Sequence, residues 1–327
     1  MSLQTSLGPL VRPHRPLRTV LIGTTLAEES DTVVRAGLAA ARAAGARVHL
    51  VHAAEAEPRR AGYDIGAGPV VDHEEVARLG EELSRQVQRL GIQPRELAAA
   101  EVRVGVPHRI LTQAARQIGA GLIVVGATGS GPFAAELLGS TADRVLRQAL
   151  CPVLIVRGEL RMPPRVVLAP VDLSTLSGDA FHCGLHLLGQ LAGTPETEVR
   201  AVFVLSFLGS LAELRQAQST ARGELQRFVL ENRPEVPFPV DAALLEGEPR
   251  TEILRALEQH PADLVILGSH GRSGLDRLML GSVASTVARK APCSVLVISP
   301  EAALEEGLAN AVEAQTMPAW HHETVAS

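Results

Sequence analysis

Gly268 and Gly271, nine further residues, and then Gly281 and Ser282 form a spaced set that follows the apolar run LVIL and precedes a helical pattern. Glycine at the end of a strand lets backbone come close to a ligand because no Cβ intervenes, and Gly271 is expected to take the positive φ of a tight turn. Gly281 and Ser282 open a helix, where unsatisfied N–H groups and the positive end of the dipole attract oxyanions. The Ser282 hydroxyl adds one more donor, and Val283 sits in the same first turn. The chemistry this predicts is phosphate binding by backbone and hydroxyl, without a lysine. Lys290 is the only lysine in the chain, so no glycine-rich loop here can end in the Lys-Ser/Thr pair of a P-loop. Lys290 itself ends a helical stretch, where it is expected to interact with the last carbonyls. Taken singly, Gly271 and Gly274 read equally well as turn residues and Ser282 as a plain N-cap.

The same set occurs a second time. Gly126, Gly129, Gly139 and Ser140, followed by Thr141, stand 142 positions before Gly268, Gly271, Gly281 and Ser282, after the run LIVV. The same offset carries Gly105 and Pro107 onto Gly247 and Pro249, and CPVLIV from Cys151 onto CSVLVI from Cys293. One offset shared by separate motifs marks a tandem duplication. Outside this block the offset drifts: RTVLIGTTL from Arg18 matches RVVLAPVDL from Arg165, and RVHLVHA from Arg47 is aligned with VRAVFVL from Val199. The predicted units are residues 1–160 and 161–300, joined by a linker near Glu159 to Pro164, with an alanine-rich acidic tail over 301–327.

Each unit alternates β-branched apolar runs with amphipathic stretches, the pattern of a parallel sheet covered by helices on both faces. Strands are predicted near 18–24, 47–53, 99–104, 121–126 and 152–156, and helices over 31–44, 73–90, 107–118 and 139–149. The second unit repeats the order, with strands near 165–170, 198–205, 239–245, 263–268 and 294–298. A doubly wound α/β sheet of five parallel strands reverses its winding once. The crevice beyond the carboxyl ends of the strands flanking that reversal is the usual ligand position. Asp172, just past the first strand of the second unit, faces Gly268 across this crevice. It is either a carboxylate that accepts from a ligand or a turn-former whose neighbour Ser174 caps the next helix. The last strands, Val153 to Val156 and Val295 to Ile298, are edges whose backbone groups need a partner.

The stretch GATGSGP from Gly126 looks like a dinucleotide fingerprint, but the residues around it exclude that. Pro132 occupies the third glycine position, the second copy has no Gly-x-Gly-x-x-Gly, and the next strand ends at Val156 followed by Arg157 instead of an acid. The spacing that both copies share, with PVDLS at Pro170 to Ser174 and a Gly-x-Pro before the third helix of each unit, resembles the nucleotide-binding motif of the universal stress protein family. The resemblance covers both units and most of the chain. It implies a five-stranded α/β fold in each, strand order 3-2-1-4-5, and bound ATP, with or without Mg2+. It assigns Asp172 to the adenosine, with Pro170, Val171, Leu173, Val204 and Leu267 around the base. Gly268 and Gly271 would approach the ribose and turn the loop, Gly281, Ser282 and Val283 would hold phosphates, and Arg272 would reach the β- or γ-phosphate. It also implies that the two final strands pair, here within one chain as a pseudo-dimer, with a homodimer of the whole chain left open.

The first unit is expected to hold nucleotide more weakly. Where the second has Pro170 and Asp172, the first has Gly23 and Thr25, so a hydroxyl replaces the carboxylate, and Pro132 and Phe133 stiffen its loop. Gly126, Gly129, Gly139, Ser140 and Thr141 keep the phosphate cradle. His270 reads as a solvated loop residue, and His52, His182 and His186 as packed ones; His321 and His322 are too isolated for a metal site. Cys151, Cys183 and Cys293 are odd in number and far apart, which argues against a disulfide framework or a zinc cluster and leaves buried thiols. A net charge of -5 with 2% aromatic residues argues against nucleic acid. The absence of an export signal and of any apolar run of about 18 residues predicts a cytoplasmic protein that does not span a membrane. The expected function is an ATP-binding regulatory or stress-response module acting on a protein partner. The alternatives are a nucleotide-free dimerisation module and a slow ATPase, the last disfavoured because the sequence places no general base.

Overall fold

The computed structural model describes residues 16–55, 73–127, 138–192, 194–207, 209–271 and 280–303. Strands and helices alternate along both halves. The first contains β1 (Thr19–Thr24), α1 (Asp31–Ala44), β2 (Arg47–Ala54), α2 (His73–Arg89), β3 (Leu97–Val104), α3 (Pro107–Ile118), β4 (Leu122–Gly126), α4 (Ser140–Gln148) and β5 (Val153–Val156). The second contains β6 (Val166–Val171), α5 (Thr175–Ala192), β7 (Glu198–Leu205), α6 (Leu211–Asn232), β8 (Val240–Glu246), α7 (Pro249–Gln259), β9 (Leu264–Gly268), α8 (Ser282–Lys290) and β10 (Ser294–Ile298). The central strands β4, β5, β9 and β10 are runs of valine, leucine and isoleucine buried almost throughout, as parallel strands covered on both faces must be. Punctuation is local: α3 and α7 open on proline, and α1 and α3 stop at the left-handed glycines Gly45 and Gly119.

All these strands form one sheet, in the order β3-β2-β1-β4-β5-β10-β9-β6-β7-β8. Pairing is parallel within each half and antiparallel where the halves meet, with Leu154 of β5 opposite Leu296 of β10 and Ile155 opposite Val295. Each half thereby covers the edge that the other would expose, which is the pairing expected of the two final strands. One apolar layer holds α1, α2, α5 and α6, and the other holds α3, α4, α7 and α8. Across the seam, Arg289 of α8 reaches Asp143 of α4 at 3.1 Å, and Asp143 also takes Arg147 at 2.9 Å. Arg157, next after β5, donates to the carbonyls of Ala288 and Arg289 at 2.9 and 3.1 Å, so an arginine of the first half occupies the helix end that the sequence assigns to Lys290. Cys183 and Cys293 are buried thiols, whereas Cys151 is half-exposed. Burial pushes the Cys293 thiol up to about 11.

The sequence alignment of the second strands is wrong by one residue. Thr19 opposes Arg47 as Val166 opposes Glu198, and the N–H groups of Arg47 and Glu198 donate to the carbonyls of Arg18 and Arg165, so Arg47 corresponds to Glu198 and not to Val199. A one-residue slip exchanges the faces of a strand. Both strands carry apolar residues on both faces, so no alternation marks their register.

Arg42, at the end of α1, donates to Glu96 at 2.7 Å, and the Gln93 N–H donates to the same carboxylate at 2.8 Å. These bonds, Arg42 foremost, lower the Glu96 carboxyl from 4.5 to about 2. Because the folded-state value lies below the ordinary one, the stability they contribute is present above pH 4.5 and is lost as the pH falls toward 2. Arg42 is half-exposed, so solvent and salt keep the contribution small. Arg42→Gln is expected to flatten the fall of Tm over this acid range; an acid slope identical to that of the unmodified chain would show that the pair contributes nothing.

Candidate functional site

In the second half the winding reverses between β6 and β9, and a cavity of about 420 Å³ opens beyond their carboxyl ends. Six elements and the loops that end them build its wall. β6 brings Pro170, Val171 and Asp172; β7 brings Phe203, Val204, Leu205 and Ser206; α7 brings Pro249 and Ile253. The end of β9 brings Leu267, Gly268, His270 and Gly271, and the start of α8 brings Gly281, Ser282, Val283 and Ala284, with Ser177 of α5 closing the side. Ten of the twelve residues that the sequence assigns to this site are therefore together on one wall. Arg272 lies outside the described residues. Leu173 does not line the cavity: it takes φ 64° and packs against the apolar layer that holds α5 and α6. Ser177, Phe203, Leu205, Ser206, Pro249, Ile253, His270 and Ala284 are further members that the sequence motif does not assign. Pro249 had a signal in the repeated Gly-x-Pro; Phe203 had none.

Asp172 is the turn-former, with one carboxylate oxygen in the turn and the other facing the loop after β9. Its Oδ1 accepts from the Ser174 N–H at 3.0 Å and from the Ser174 hydroxyl at 2.6 Å, while Ser174 Oγ accepts from the Ser177 N–H at 3.2 Å. Ser177 Oγ in turn accepts from the Asp172 N–H at 3.2 Å, so this oxygen organises the turn into α5. Oδ2 lies against the loop after β9, where a Cβ on Gly271 would stand 2.7 Å from it.

The glycines are required for space and not for left-handed backbone. Gly271 is absent from the positive-φ positions, which corrects the tight-turn expectation; its missing Cβ lets the chain pass beside Asp172. At Gly268 a Cβ would meet Ala180 Cβ at 3.0 Å, so close packing of helix α5 by itself calls for glycine there. At Gly281 it would meet Ser269 O at 3.2 Å, the oxygen to which the Gly281 N–H donates at 2.8 Å. No described side chain caps α8, which leaves its first-turn N–H groups to whatever enters the cavity. His270 is half-buried and not a free loop side chain: Nδ1 lies 2.8 Å from Ser269 Oγ, and Nε2 is buried with no partner among the described residues. It stands between the cavity and a narrow recess bordered by Leu146, Arg147 and Ala149 of the first half.

The first half keeps the cradle in part. The Gly139 N–H donates to Ala127 O at 2.7 Å, as Gly281 does to Ser269, and Gly139, Ser140 and Thr141 open α4 just as Gly281, Ser282 and Val283 open α8, with Gly126 ending β4. Gly129, Pro132 and Phe133 lie outside the described residues. Thr25 is exposed, and Thr24 makes the turn instead: its Oγ1 accepts from the Leu26 N–H at 3.1 Å and donates to Gln86 at 2.9 Å. His52 stands opposite Thr24 as Phe203 stands opposite Val171, with Nδ1 3.0 Å from Thr24 O. His182 and His186 are packed, bonded to Asn232 O and Gln190. Among the described residues no group of three His, Cys, Asp or Glu is placed to hold a metal ion, and no helix is long and apolar enough to cross a membrane.

A doubly wound α/β unit, duplicated and joined edge to edge with a ligand-sized crevice at a switch point, defines the class of protein. The model of the universal stress protein family matches residues 16–157 and again 164–299, and the chain belongs to that family. A universal stress protein of Mycolicibacterium smegmatis is 29% identical over 299 residues, 86% of this chain and 97% of that protein. One of Methanocaldococcus jannaschii is 30% identical over 152 residues, 44% of this chain and 86% of that protein. Among solved structures, a functionally unknown Pseudomonas aeruginosa protein superposes with TM-score 0.62 at 20% identity, covering 90% of this chain and 98% of its own. A universal stress protein from Archaeoglobus fulgidus gives 0.59 at 22%, covering 86% and 96%. Both share the fold.

Proposed function

We propose that this chain binds an adenine nucleotide, ATP foremost, in the second-half crevice, and that its filled and empty states present different surfaces to a protein partner. What carries the reading is the convergence, in one cavity of about 420 Å³, of an apolar slot, a carboxylate and a helix start that no described side chain caps. The volume falls within the range of roughly 300 to 1,000 Å³ usual for small-molecule sites. The base lies against Val171, Phe203, Val204 and Leu267, Asp172 accepts from a ribose hydroxyl, and the N–H groups and hydroxyl at Ser282 take phosphate oxygens. The family resemblance assigns Arg272 to the outer phosphates, and Mg2+ would travel with the triphosphate, as ions held by one or two ligands and substrate oxygens do. The role is regulatory and not catalytic: Asp172 is the one carboxylate among the described wall residues, and its Oδ1 is committed to the turn into α5. The first-half site binds more weakly, because it lacks a carboxylate at Thr25 and sets an imidazole, His52, where the second half has Phe203.

Two measurements test this. Mass analysis of what leaves the heat-denatured protein is expected to find an adenine nucleotide, and calorimetry with ATP to resolve one stronger and one weaker site. No released nucleotide and no heat with ATP would reject the reading in favour of a dimerisation module; two equal sites would reject the asymmetry alone.

A further inference from the structure

A second cavity, of about 690 Å³, lies away from the crevice and is walled by both halves. The first half supplies Leu17 and Arg18 ahead of β1, Ala115 and Arg116 near the end of α3, and Leu150 before β5. The second supplies Leu187 and Gln190 of α5, and Gln190 accepts a hydrogen bond from the Leu17 N–H, so a polar contact already crosses between the halves here.

Charge decides what this cavity selects. The chain has 36 acidic and 31 basic residues, yet no aspartate or glutamate is among the described residues of this wall. Arg42, Arg78, Arg89, Arg103, Arg147 and Arg250 each hold a carboxylate. Arg18 and Arg116 hold none among the described residues; Arg116 makes only a 3.5 Å reach to the Gln148 carbonyl, at the limit of a hydrogen bond. Two guanidiniums without acids beside an apolar floor suit a ligand with an anionic head and an apolar body.

We propose that this inter-half cavity is a second ligand site, for an amphipathic monoanion of the medium-chain carboxylate class. Its head pairs with Arg18 and Arg116, and its chain lies against Leu17, Leu150 and Leu187. Because the wall belongs to both halves, a bound molecule fastens them together and stabilises the whole chain by mass action.

Decanoate is the probe. Calorimetry is expected to show saturable one-to-one binding, with a Tm that climbs as decanoate is added. Decanoate should also slow alkylation of Cys151, the half-exposed thiol on the same wall. Decanol, with the same chain and no charge, is expected to bind at least tenfold more weakly. Arg18→Gln combined with Arg116→Gln should weaken decanoate at least tenfold and leave decanol unchanged. Both arginines are exposed, and an unaltered circular dichroism spectrum and Tm of the free variant confirm its fold. Absence of saturable binding, equal affinity for decanol, or an unprotected Cys151 would each overturn the proposal.

Discussion

Gly271→Ala is expected to cost at least a factor of ten in ATP affinity, about 1.4 kcal/mol, although it adds a single methyl group. That methyl would stand 2.7 Å from Asp172 Oδ2, closer than any relaxed contact allows. Asp172 cannot simply swing aside, because Oδ1 is held by the Ser174 N–H and hydroxyl at the turn into α5. Either that turn gives way or the loop after β9 moves off the cavity. Asp172→Ala alone is expected to lose a similar factor by removing the ribose acceptor. In the double variant the obstacle is gone, so Gly271→Ala should add little to the loss, a coupling that a double-mutant cycle reads directly. Gly281→Val gives an independent check: its Cβ would meet Ser269 O at 3.2 Å, and the branched carbons beyond it would crowd the helix start offered to phosphate. Fully additive losses at 172 and 271 would remove the steric argument, and unchanged ATP affinity in all three single variants would remove the site.

These contacts mark the boundary of what sequence alone discloses. The 142-residue offset, the apolar runs and the Gly-x-x-Gly spacing place the loops, because strand, turn and helix start are local and their punctuation is local. The physical reason for each glycine is not local. Gly268 answers to Ala180 and Gly271 to Asp172, neighbours some ninety to a hundred positions away that share no pattern with the loop. His270 looks solvated in sequence, yet its Nε2 is buried, beside a recess that residues of both halves border. The second strands fail for a different reason: apolar on both faces, they carry no alternation to fix the register, so nothing in the sequence marks Phe203 as joining Val204 on the cavity wall. Matched from Arg18, the position of Asp172 falls on Thr25, yet the side chain that bonds the turn is Thr24.

Expressed alone, each half is expected to dimerise, and residues 1–160 more tightly than residues 161–303. Cutting the chain exposes β5 in one half and β10 in the other, central strands whose backbone groups pair antiparallel in the intact protein. The two strands read VLIV and VLVI, so a second copy of either half offers nearly the edge that has been lost, and an antiparallel pair of identical strands closes as a twofold dimer. The seam around them is not symmetric. Arg157 covers the carbonyls of Ala288 and Arg289, and its counterpart after β10 is Ser299, whose hydroxyl reaches the Ala149 carbonyl at only 3.4 Å. Asp143 receives Arg289, and the position matching Asp143 in α8 is Ser285. Two first halves can therefore form two Arg157 caps and two Asp143–Arg147 bridges across the seam, whereas two second halves have neither the capping arginine nor the acid. Light scattering should give twice the monomer mass for each half, with the 161–303 dimer dissociating at higher concentration than the 1–160 dimer. Leu154→Asp in residues 1–160 should yield monomer, because it sets a carboxylate at a buried position of the pairing strand. Monomeric halves at all concentrations would show that β5 and β10 pair only because the linker holds them together, and a tighter 161–303 dimer would show that the apolar strands outweigh the arginine caps.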